Sequence, residues 1–162
     1  MSELLEQDDW EAALLLLEES AEVSPQPSEF WDLLADAARL LWLHDDARWY
    51  GWRSVEARGG VVLAELRLGP RRSPVPSCGL LRPMWDVGRT TPDGDPLLGV
   101  AGLWIDGVRF LEPGGRGAAR LIPLTFGFWR HLRPGDVVTM HETRDPVGAA
   151  RVTEIRLPVN PG

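Results

Sequence analysis

The hydrophobic period of the chain changes once, at Gly59-Gly60, and that change constrains the fold more than any other feature. Before it, apolar residues recur every three or four positions, as on one face of a helix. After it they fall in short alternating runs cut by turn residues, as in strands. Trp10, Ala13, Leu14 and Leu17 predict a first helix over residues 8–22, with Asp8 or Asp9 placed to cap its free N–H groups. Ser24-Pro25-Gln26-Pro27 ends it, because proline has no amide proton and drives the preceding residue out of the α region. Ser28 is expected to cap a second helix, whose apolar stripe is Phe30, Leu34, Ala37, Ala38 and Leu41 with Trp31 and Trp42 beside it. His44-Asp45-Asp46 interrupts that pattern, and Trp49, Trp52 and Val55 continue a third helical face up to Gly59-Gly60.

Beyond Gly60, strands are expected over 61–68, 81–87, 99–105, 117–124, 136–141 and 147–157. A proline-rich loop, 71–77, follows the first, and Asp93-Gly94, Asp106-Gly107, Pro113-Gly114, Pro134-Gly135 and Asp145-Pro146 supply turns. Six short strands without interspersed helices favour a closed barrel or sandwich over a parallel α/β sheet. The expected fold is therefore α+β. A helical hairpin of about three short helices, residues 1–58, packs on a six-stranded antiparallel β-barrel, residues 59–162. The helical part holds too little core to stand alone and is expected to be an appendage of the barrel rather than a detachable domain.

Two resemblances lie on these elements. Ala37-Ala38-Arg39-Leu40-Leu41-Trp42 followed by Asp45-Asp46-Ala47-Arg48 resembles one partial unit of a tetratricopeptide repeat. Gly79-Leu80-Leu81-Arg82-Pro83-Met84-Trp85 is similar to the G-Y-R-P-Q-F segment of the third, C-terminal domain of bacterial elongation factor Tu. Ala64-Glu65-Leu66-Arg67-Leu68 sits upstream like that domain's opening A-E-V strand. Leu111-Glu112-Pro113-Gly114 leads into 118–124 as the family's M-P-G-D turn leads into a long strand, and Pro146-Val147-Gly148-Ala149-Ala150-Arg151-Val152 resembles the closing T-V-G-A-G-V-V strand. Asp145 stands where the family has Arg, Ala150 where it has Gly, and Gly115 at its acidic turn position. The resemblance implies a stand-alone barrel of that type, a surface that in the family binds protein and tRNA.

Several activities are excluded or disfavoured. There is no G-x-x-x-x-G-K-[ST] loop, and all 17 basic residues are Arg, so the lysine that such a loop places on nucleotide phosphates is missing. A net charge of −7 opposes nucleic acid and anionic membrane, and favours a partner with a basic surface. No run of about 18 apolar residues exists, the start Met1-Ser2-Glu3 lacks the basic region of a secretory signal, and Cys78 is the only cysteine, so a cytoplasmic location is expected. His44, His131 and His141 adjoin no nucleophile signature, and of the metal candidates Asp136, His141 and Glu142 the neighbours His141 and Glu142 would point to opposite faces of a strand, so neither enzyme nor metal centre is expected. No cofactor is expected. The eight tryptophans are the most unusual feature of the composition. Those in the helical part are read as filling the space between helices and barrel, and Trp85 and Trp104 as core or near-core. Phe126, Phe128, Trp129, Arg130 and Arg133, in the connection between the fourth and fifth strands, are the candidate partner-binding residues, with aromatics expected to be at least partly accessible. The functional expectation is a non-catalytic protein-binding module, an adaptor or an immunity-like neutralising protein, with an RNA-associated translation accessory factor as the alternative.

Overall fold

The computed structural model describes residues 9–71 and 73–159, so the capping candidate Asp8, Arg72 of the proline-rich loop and the last three residues lie outside it. The described residues form two compact units, one ending at Arg58 and rejoined by Val159, the other running from Gly59 to Pro158. The fold is α+β: three helices, then a closed barrel of six antiparallel strands.

In the first unit, α1 (Trp10–Val23), α2 (Ser28–Leu40) and α3 (His44–Gly59) share one core. Asp9 caps α1, its carboxylate accepting from the Ala12 amide at 3.3 Å. Ser28 does not cap α2: it is the first helical residue and is buried, while the extended backbone of Pro27 supplies the entry geometry without a side-chain bond. The core face of α2 is Trp31, Leu34, Ala35 and Ala38, the helical spacing with Trp31 at its centre rather than Phe30. The face of α3 departs further from expectation. Ala47, Tyr50 and Ala57 are buried beside Arg53, Ser54 and Glu56, whereas Val55 is exposed and Trp49 and Trp52 are half-buried. Arg53 goes inside because its charge is met there: it pairs with Glu22 and with Glu56 at 3.2 Å, and its guanidinium lies 4.2 Å from the Trp31 ring centre.

The second unit contains β1 (Val61–Leu68), β2 (Val75–Pro76), β3 (Met84–Thr90), β4 (Pro96–Ile105), β5 (Phe110–Leu111), β6 (Arg116–Pro123), β7 (Val137–Glu142) and β8 (Asp145–Arg156). The barrel order is β1-β6-β4-β3-β7-β8, and β8 pairs back onto β1, leaving no open edge. Side chains alternate as the period predicts: Val62, Ala64, Leu66 and Leu68 of β1 point inward, as do Ala101, Leu103 and Ile105 of β4. Small alanines at 64, 101, 119 and 150 leave room in the lumen for the large side chains of Trp85 and Trp129. Two details were outside expectation. Asp145-Pro146 opens β8 instead of forming the turn, which falls at Thr143 with φ 59°, and the loop read at 71–77 contributes β2, a short ladder with β5.

Candidate functional site

The connection after β6 folds as a 3-10 helix, Phe126–Trp129, tied to β3. His131 Nε2 donates to the Val87 carbonyl at 2.7 Å, and Arg89 Nε donates to the Phe128 carbonyl at 3.0 Å with its guanidinium 5.4 Å from that ring. These ties press Trp129 into the lumen, where it is 1% exposed and meets Trp85 edge-on at 6.3 Å. The expected accessibility of Trp129 is thus overturned, because the barrel's interior needs its volume. Phe126 and Phe128 are half-buried and Arg130 is exposed. Arg133 is exposed too, but its Nη1 donates to the carbonyls of Arg130, Leu132 and His131 at 3.0–3.3 Å, closing the turn. The connection is first a structural plug, and its outward remainder is Phe126, Phe128 and Arg130.

A more distinctive site lies in the helical unit. Counted on the sequence, residues 1–58 carry 14 acidic side chains and four Arg, a formal −10, while 59–162 carry ten acidic side chains and 13 Arg, a formal +3. Between α1 and α3 a cleft of about 360 Å³ has Asp9, Glu11, Glu18 and Asp46 on its walls and Leu14, Leu15, Leu43 and Tyr50 as apolar lining. Glu18 accepts from the Trp49 indole at 2.6 Å and from the Tyr50 hydroxyl. Burial raises the pKa of Asp46, and the charges of Glu11, Glu18 and Asp45 raise it further. Burial also pushes the Tyr50 phenol well above its ordinary value, with the Glu18 and Asp46 charges and the hydrogen bond to Glu18 adding to the shift. The cleft is a place where negative charges oppose one another and a cation would relieve them.

The chain matches no protein-family model and no curated protein. Its function is therefore read from this geometry.

Of the residues considered for chemistry, His141 is engaged by Thr139 Oγ1 at 2.8 Å and the Arg144 carbonyl at 3.3 Å. Asp136 accepts from the Arg133 amide at 2.7 Å, and Glu142 pairs with Arg71. Cys78 is half-buried beside β4, bridged to Trp104. Sequence reasoning also missed the corner between α2 and α3. There Leu43 and Trp42 donate their amides to Ala38 and Arg39, the double bond that closes a helix on a left-handed residue, and Trp42 takes φ 61° while 79% exposed. Glycine is the usual occupant of that position, so a bulky aromatic there is an outlier.

Proposed function

We propose that this protein is a non-catalytic, cytoplasmic protein-binding module that engages a basic partner through its helical unit, as an adaptor or an immunity-like neutralising protein. The observation that carries this reading is the acidic cleft between α1 and α3. Its apolar lining accommodates the aliphatic stem of an Arg or Lys, and its carboxylates meet the head group. The concentration of formal charge in residues 1–58 adds long-range steering toward a cationic partner. The barrel, on this reading, is an elongation-factor-Tu-like scaffold without the motor.

The test is calorimetric titration with an Arg-rich peptide at two salt concentrations, repeated on Glu11→Gln/Asp46→Asn. Binding that weakens with salt and falls about tenfold in the double variant is expected. Absence of binding at low salt, or equal affinity in the variant, sinks the proposal. A second reading, an RNA-associated translation accessory factor, is favoured by one observation: the barrel's own charge is +3, with 13 Arg. A titration with tRNA in which affinity drops steeply with salt, in the absence of peptide binding, would select it.

A further inference from the structure

We propose that the barrel carries an anion site for a phosphate group, at the turn where β1 ends. A cleft of about 450 Å³ is formed there by Arg67, Gly69-Pro70, Arg71 and Pro113-Gly114, and among the described residues no acidic side chain lines it. Arg71 is the first reason to read it as a site. Its side chain is 12% exposed and pairs with Glu142 through Nη2, but Nε and Nη1 are buried and meet no acceptor among the described residues. A guanidinium loses water on burial and needs acceptors for its five N–H groups, so two silent nitrogens leave positive charge uncompensated beneath the cleft wall. Glu142, 44% exposed, offsets that charge only in part.

The second reason lies on the strands. Arg67 stands directly opposite Arg116 in the β1–β6 pair, where like charges destabilise a ladder, a cost that an anion bound between them would remove. Both are exposed, so both are free to swing toward a ligand. Arg67 and Arg71 thus line the cleft, and Arg116 stands beside it as the β6 partner of Arg67. Their forked donors fit the several oxygens of a tetrahedral oxyanion better than the two of a carboxylate. The site does not depend on the acidic cleft, which belongs to the other unit.

The test is titration of the whole chain with inorganic phosphate and, in parallel, O-phosphoserine, followed by amide chemical shifts and calorimetry at constant ionic strength. Saturable binding at millimolar concentration, with shifts at Gly69 and Gly114, is expected for at least one ligand. Inorganic phosphate binding as tightly as the ester identifies the free ion as sufficient, whereas tighter binding of the ester identifies a phosphorylated molecule. Arg67→Ala/Arg116→Ala, at exposed positions, should keep the melting temperature and weaken binding about tenfold. No saturable shift up to about 20 mM, shifts reproduced by chloride, or unchanged affinity in the folded double variant would each overturn the proposal.

Discussion

Tyr50 is the chain's single tyrosine, so its titration is read without interference. Burial, the charges of Glu18 and Asp46 and the bond to Glu18 all hold its proton. A phenol whose folded pKa is raised binds its proton more tightly in the folded than in the unfolded state above about pH 10, so stability falls as pH rises through that region. In a spectrophotometric titration the phenolate band should stay absent at about pH 10 and appear together with the loss of helical circular dichroism. A reversible phenolate signal near its ordinary value in a still-helical protein would contradict the buried position. Trp129 makes a second residue-scale prediction. A 1%-exposed indole against Trp85 leaves a large cavity when truncated, so Trp129→Ala should cost about 3–5 kcal/mol in denaturant melts. A loss under about 1 kcal/mol would place the ring outside the core.

At the scale of elements, the corner from α2 to α3 stores strain that its sequence does not require. Trp42 sits at φ 61° with 79% of its surface exposed, and its recorded ring contact is an edge-on one with His44 at 6.0 Å. Replacing it with glycine removes the clash between Cβ and the neighbouring carbonyl while retaining the two amide bonds that close α2. Trp42→Gly should therefore raise stability by about 1 kcal/mol, measured as a shift in the denaturation midpoint at constant slope. Destabilisation would mean that the indole packs more than its exposure shows. Gly60 is the opposite case: at φ +83°, with the Phe126 ring 2.7 Å from where a Cβ would stand, it admits no side chain.

For the whole molecule, the two units differ in how completely each closes on itself. The barrel's six strands form a ring with no free edge around a core that includes Leu66, Trp85, Leu103, Leu121 and Met140. The helical unit buries fewer residues, several of them alanines. The closed hydrogen-bonding ring is the reason to expect that a fragment 59–158 is soluble and melts in one cooperative transition, while 1–58 alone is partly unfolded. The reverse expectation, that the barrel aggregates without the helices, follows from reading the helical tryptophans as filler, and calorimetry on the fragment decides between the two. An aggregating or non-cooperative fragment would show that the ring alone is insufficient.

The period of apolar residues and the placement of turn glycines and prolines were enough to read three helices, six strands and the boundary at Gly59-Gly60, because helix and strand spacing are local properties of the backbone. Asp9 as a cap and the inward set of β1 were legible for the same reason. What the sequence could not order was burial between distant segments. Trp129 looks like an exposed loop aromatic until His131 and Arg89 tie its turn to β3, about 40 positions back in the chain. Arg53 reads as a surface charge until Glu22, Glu56 and Trp31 surround it. The acidic cleft needed α1 and α3 to meet, since Asp9 read as a cap and Asp46 as a helix interruption each had a sufficient local explanation. The return of β8 onto β1 was likewise a tertiary decision: a closed ring satisfies backbone groups that an open edge leaves unpaired, and that gain exists only when the first and last strands come together.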